Sequence, residues 1–309
     1  MYKKLIFWVE EYLFYPSSFF QYFLSFLLLP LSFLYTLIVL LKRVIAKKVD
    51  TKIPVISIGN LTVGGSGKTP FLISLASDYK EVAIVLRGYK RESKGTILIS
   101  KLGKILQDVR ISGDEAMLYA KNLSNASVIV SEDRLDGIQL AKEIGAKLVF
   151  LDDGFSKAHI KKLDILLRPN PEPKLPFCLP SGAYREPSFM YRYCDVVVKE
   201  DEDFTREVKI ENQTKRMVLV TAISKPSRLD SYLPDALLAK EVFPDHHSFT
   251  KEELESILEK YAATSLLVTT KDLVKIEQFK EIPLSVLTLH VSIKADIKNK
   301  INTFLADFR

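Results

Sequence analysis

No charged residue stands between Tyr12 and Leu41, although the 309-residue chain carries 44 Lys or Arg and 38 Asp or Glu elsewhere. No second block of this kind exists, which excludes a polytopic transporter. Cysteine is nearly missing: Cys178 and Cys194 lack C-x-x-C spacing, which excludes a disulfide-stapled secreted domain and fits free thiols in a reducing compartment. A disordered tail protein is excluded by a hydrophobic share of 47%. There is also no aromatic-rich basic patch. That absence, with the basic residues dispersed, counts against a nucleic-acid motor, whereas the net charge of +6 suits nucleic acid, an anionic membrane surface or a phosphorylated substrate alike and does not choose between them.

Within the charge-free block, 22 of 30 residues are hydrophobic and ten are Phe or Tyr, with only Ser, Thr, Gln and Pro interrupting. A buried core helix would show a polar face, and a cleavable signal would have a shorter apolar region. As one helix the block would reach about 45 Å against a hydrocarbon core of about 30 Å. Pro16-Ser17-Ser18 reads as a helix start and Pro30 as a kink. Lys3 and Lys4 precede the block, and Lys42, Arg43, Lys47 and Lys48 follow it, so both ends favour the cytoplasmic side. The expectation is a kinked, monotopic or re-entrant anchor over residues 1–48 rather than a simple span. On this reading, removing residues 1–41 impairs work on a membrane-embedded substrate more than nucleotide binding.

The β-branched run Ile53–Ile58 is followed by the glycine-rich stretch Gly59–Pro70, then by the apolar run Phe71–Ala76. Strand, glycine loop, Lys-Thr, helix is the order of a P-loop. Thr62, Gly64, Gly65, Ser66, Gly67, Lys68 and Thr69 are the phosphate-binding candidates. Loop N–H groups and the helix N-terminus cradle anionic oxygens, Lys68 adds a point charge, and Thr69 offers a hydroxyl to magnesium. Thr62 stands where the strict pattern has Gly. A second strand, Glu81–Leu86, ends in Arg87-Gly88-Tyr89-Lys90-Arg91, either a ligand-facing cluster or a solvated loop. Ser112-Gly113-Asp114-Glu115 has the form of a capping box, and Asp114 at a helix N-terminus also suits a proton acceptor. The strand Ser127–Val130 leads to Glu132-Asp133-Arg134. Another, Lys147–Leu151, ends in Asp152-Asp153-Gly154-Phe155, which reads as a Walker B position binding magnesium or as a plain Asp-Gly turn.

These residues resemble the tetraacyldisaccharide 4'-kinases of lipid A biosynthesis. The resemblance rests on Gly59–Pro70, Arg87-Gly88-Tyr89, Gly113-Asp114-Glu115, Asp133-Arg134, Asp152-Asp153-Gly154-Phe155, Ser181-Gly182, Arg185-Glu186-Pro187, Phe243-Pro244-Asp245-His246-His247 and Thr270-Lys271-Asp272, in the family's order. Departures are Ser156-Lys157, where Gln-His is common and no role is carried over, and Leu86, Ala116 and Tyr184.

The resemblance implies an α/β protein with a P-loop α/β/α lobe at 49–170, a smaller α/β lobe at 171–292, and a C-terminal helix at 293–309 that packs on the first. It implies γ-phosphate transfer from ATP, with Mg2+, to the 4'-hydroxyl of a tetraacyldisaccharide 1-phosphate at the cytoplasmic face of the inner membrane. Neither nucleic acid nor an obligate protein partner is implied. Catalysis falls to Asp114 assisted by His246, with Lys68 and Asp153. Substrate contacts fall to Arg87, Tyr89, Arg134 and Arg185, and metal binding to Thr69 with Asp152 or Glu186. Asp245-His246-His247 has competing readings as a metal site or a surface loop. A membrane-bound P-loop ATPase switch acting on a protein partner is the alternative use of the same anchor and loop.

Overall fold

The computed structural model describes residues 2–64, 67–223, 226–244 and 247–308, without the side chains at positions 2–4, 6 and 228. The expected site residues Gly65, Ser66 and His246, with Asp245 of the same motif, lie outside the described residues, as do the Lys3 and Lys4 side chains.

The chain opens with α1 (Tyr2–Phe14), α2 (Phe19–Leu27), α3 (Leu29–Ile45), β1 (Val55–Gly59), α4 (Lys68–Ser77) and β2 (Val82–Leu86). Next come β3 (Ile97–Lys101), β4 (Lys104–Ile105), α5 (Val109–Ser112), α6 (Asp114–Asn122), β5 (Ala126–Val130), α7 (Arg134–Glu143), β6 (Leu148–Asp152) and β7 (Leu163–Arg168). The remainder is β8 (Val196–Lys199), β9 (Phe204–Glu211), β10 (Met217–Thr221), β11 (Leu237–Val242), α8 (Lys251–Tyr261), β12 (Ser265–Thr269), α9 (Thr270–Ile276), β13 (Leu284–Ile293) and α10 (Ala295–Ala306). Two compact units result. One holds Met1–Lys68, Leu148–Phe204 and Lys294–Arg309, the other Thr69–Lys147 and Thr205–Ile293.

In the first unit the strand order is β6-β1-β7-β8, every neighbouring pair parallel. All five residues of β1 and of β6 are buried, as expected of parallel strands covered on both faces, whose sequences run continuously apolar instead of alternating. Register sets Ile58 beside Asp152, so the acidic end of β6 lies next to the mouth of the glycine loop.

The helices α2 and α3 are inside out. Ser18 caps α2 with Gln21 completing the capping box, and Pro30 sits in the first turn of α3, where its missing N–H costs nothing. The break between them bends the pair by 52°. Gln21, Ser25 and Ser32 are buried, whereas Phe19 is 86% exposed and Phe33 72%. The buried hydroxyls hold the 178–185 segment: Ser25 Oγ donates to the Ser181 carbonyl at 2.5 Å, Ser32 Oγ to Cys178 at 2.6 Å, and Tyr35 Oη to Arg185 at 2.9 Å. From α1, Tyr12 Oη donates to the Pro180 carbonyl at 2.9 Å. Among the described residues no single helix is long and apolar enough to cross a membrane, though the bent pair meets that length and composition together.

In the second unit β4-β3-β5-β2 form one strand group, with β2 parallel to β5 and β3 antiparallel to both β5 and β4. A separate five-stranded sheet has the order β11-β10-β12-β13-β9. Val218 and Val220 of β10, Leu266 and Val268 of β12 and Leu254 and Ile257 of α8 form a core there. Two expectations need correction. Ser112 ends α5, and Gly113 takes the N-cap of α6 without a side-chain bond, so the expected capping box does not form. The C-terminal helix begins at Ala295 because β13 continues to Ile293.

Candidate active site

Beyond β1 the loop turns through Gly64 at φ +77° and Gly67 at φ +79°, a left-handed conformation that glycine adopts without a Cβ penalty. Asn60 is buried and organises the turn. Its Nδ2 donates to the Thr62 carbonyl at 2.9 Å and to Thr62 Oγ1 at 3.1 Å. Its Oδ1 accepts from Lys68 Nζ at 2.9 Å and from Arg185 Nη2 at 2.7 Å. Arg185 is placed by backbone pairing with the loop entrance: its N–H donates to the Leu61 carbonyl at 2.8 Å, and Val63 N–H donates to Ala183 at 2.8 Å. Arg185 Nη1 donates to Asp153 Oδ2 at 2.6 Å, Nη2 reaches Asp153 Oδ1, and Lys68 Nζ lies 3.7 Å from the same Oδ1. Lys68 and Arg185 thus both meet Asp153 and Asn60, the latter a residue to which sequence reasoning gave no role. Burial works against the Arg185 charge, but the Asp153 carboxylate outweighs it and raises the guanidinium above its ordinary value.

Asp152 ends β6 and is buried at 5% exposure. Glu186, also buried, accepts from Arg43 Nη2 at 3.3 Å, and the Arg43 guanidinium sits 4.1 Å from the centre of the Phe155 ring. Burial raises Glu186 above the usual carboxylate value, with Arg43 pulling the other way. Arg43, in the last turn of α3 after the apolar block, is turned inward onto Glu186. A cavity of about 370 Å³ lies here, lined by Tyr35, Lys42 and Arg43 of α3 together with Asn60, Asp153 and Lys157. Among the described residues no group of three His, Cys, Asp or Glu side chains could hold a metal ion by itself. Asp152 offers a single oxygen-donor carboxylate, and Glu186 is engaged by Arg43.

In the second unit Asp114 is the first residue of α6. Gly113 precedes it at φ +78°, and a Cβ there would meet the Tyr89 carbonyl at 3.0 Å, so this approach requires glycine. Asp114 Oδ2 pairs with Lys275 Nζ of α9 at 3.2 Å. Arg87 and Tyr89 are exposed after β2. Arg134 is buried at the start of α7, its Nη1 donating to the Ser131 carbonyl at 2.6 Å. Thr69 follows Lys68 in the first turn of α4. Asp272 of the Thr-Lys-Asp motif is a buried latch, accepting from Thr221 Oγ1 at 2.7 Å, Ala222 N–H at 3.0 Å and Thr269 Oγ1 at 2.7 Å.

A family model described as tetraacyldisaccharide-1-P 4'-kinase matches residues 24–308. The tetraacyldisaccharide 4'-kinase of Aliarcobacter butzleri is 48% identical over 316 residues, covering 100% of both chains. That of Helicobacter pylori is 49% identical over 300 residues, covering 97% of this chain and 95% of its own. A crystal structure of LpxK from Aquifex aeolicus in complex with ATP is 28% identical with a TM-score of 0.76, covering 92% of this chain and 99% of that one. With its motifs in order and its whole length matched, the chain belongs to the tetraacyldisaccharide-1-P 4'-kinase family.

Proposed function

We propose that the chain is an ATP-dependent kinase that transfers the γ-phosphate to the 4'-hydroxyl of a tetraacyldisaccharide 1-phosphate. The observation that carries this reading is the cluster of Lys68, Arg185 and Asp153 around Asn60, beside the glycine loop after β1. Phosphoryl transfer needs charge neutralisation and positioning more than covalent chemistry. Asn60 and Asp153 hold the two cations pre-oriented, so an incoming triphosphate competes with one carboxylate and not with a full solvent shell. Gly64, Gly65, Ser66 and Gly67 supply loop N–H groups, with Thr62 bracing Asn60 from the loop entrance. Asp114 takes the sugar hydroxyl proton, with His246 assisting it. Arg87 and Tyr89 contact substrate, and Arg134 supports its segment from a buried position.

Mg2+ fits this donor set as an ion delivered with the nucleotide, because Mg2+ takes one or two protein oxygens and completes its shell with phosphates and water. Asp152 would hold it, with Glu186 the less available donor because Arg43 binds it. When bound, the ion neutralises developing charge on the phosphates.

The α2–α3 surface is proposed to seat in the cytoplasmic leaflet of the inner membrane, where a four-chain lipid acceptor resides. Apolar side chains turned outward while serines are buried support this placement. Purified protein given labelled ATP and a tetraacyldisaccharide 1-phosphate should yield labelled lipid. Hydrolysis of ATP with no label in the lipid would favour an ATPase switch instead.

A further inference from the structure

Lys275 is buried on α9, 7% exposed, and its ammonium is fixed from several sides. Nζ lies 3.2 Å from Asp114 Oδ2, donates to the His247 carbonyl at 3.2 Å, and stands 5.7 Å from the centre of the Phe249 ring. Packing brings the two helices together: Met117 and Leu118 of α6 meet Val274 of α9. The same helix pair is already clamped further along by the partly exposed Lys121–Glu277 ion pair. A second clamp would gain little from being ionic, since a buried ion pair repays its desolvation poorly and apolar contact would serve as well. The charge instead sits where it orients the one carboxylate that a phosphoryl acceptor needs.

We infer that Lys275 is a positioning residue for Asp114, holding that carboxylate in register with the backbone at His247. The inference rests on the reading of Asp114 as proton acceptor. Nζ is pinned between an α6 side chain and the His247 carbonyl, so Lys275 sets the direction of the Asp114 carboxylate without touching substrate. Its loss leaves nucleotide binding in place and slows the transfer step.

A double-mutant cycle in the full chain tests this, with kcat, KM for ATP and thermal midpoint measured for Lys275→Met, Asp114→Asn and the pair. Lys275→Met should lower kcat by about tenfold or more with KM for ATP within about twofold, the pattern of a lost transition-state interaction. In the Asp114→Asn background the same change should cost less than about twofold, because the residues act as one unit. Lys275→Arg should recover much of the turnover. Additive losses, or wild-type kcat in a folded Lys275→Met variant, would overturn the inference. Should Lys275→Met fail to melt cooperatively, the cycle is read with Lys275→Gln under the same criteria. Wild-type turnover in Asp114→Asn would instead sink the reading of Asp114 itself, so the two failures are separable.

Discussion

Asp153 holds φ at +56°, the left-handed region that a non-glycine residue enters at a cost. The strain is matched by what its carboxylate reaches, Arg185 on one side and Lys68 on the other. Glu186, one residue beyond Arg185, gives a prediction of definite sign. Burial raises its pKa above the ordinary value despite Arg43. A carboxyl raised in this way costs stability as it ionises. The cost is absent below the unfolded value and complete above the raised folded one. Glu186→Gln removes that cost, so the thermal midpoint of the variant should gain on wild type as pH rises from about 4.3, the ordinary glutamate value. Paired melting curves across pH check this, and a difference that shrinks with rising pH would mean that Arg43 outweighs burial. At this scale the sequence was legible where chemistry is local. Lys68, Asp153 and Arg185, which the structure brings together, each stand in a recognisable motif, while Asn60, Arg43 and Lys275 do not. Arg43 meets Glu186 across 143 positions, and Lys275 meets Asp114 only because α9 packs on α6.

At the scale of elements, continuous apolar runs announced β1, β2, β5 and β6, because strands buried on both faces need no alternation. The hairpin β3–β4 and the alternating β9 carry weaker signals, since their side chains are partly exposed and mixed in character. Ser112 misled for a physical reason: a short helix before Gly113 uses it as a last residue, leaving Gly113 to start α6. The apolar character of these helices was legible from composition, but which face turns outward was not. Phe19 and Phe33 lie on the exposed face, away from the bonds to Ser181 and Cys178. Changing both to Asp should leave melting and ATP binding near wild type. With the exposed face seated in lipid as proposed, replacing two of its aromatics by charges should weaken vesicle association, and with it transfer to a vesicle-embedded acceptor, by about tenfold or more. Vesicle co-sedimentation alongside the transfer assay measures both, and unchanged sedimentation would place the membrane contact elsewhere.

For the whole chain, the question is whether the N-terminal helices are a detachable anchor or part of the folded body. The charge-free block by itself suggests the first, and its hydrogen bonds argue for the second. Tyr12, Ser25, Ser32 and Tyr35 donate to the carbonyls of Pro180, Ser181, Cys178 and Arg185, all on the segment that carries the Arg185 guanidinium to Asn60 and Asp153. Each such hydrogen bond contributes about 0.5–1.5 kcal/mol net. Several such losses together are a sizeable share of the roughly 5–15 kcal/mol that holds a typical domain folded. Deleting residues 1–41 should therefore lower the thermal midpoint and weaken ATP binding along with lipid transfer, contrary to the expectation for a simple tether. The Phe19 and Phe33 variant should separate those properties where the deletion cannot. Thermal denaturation and ATP titration of the deleted chain decide the matter: wild-type values for both would show that the helices serve the membrane alone, and that the Arg185 segment keeps its place without them.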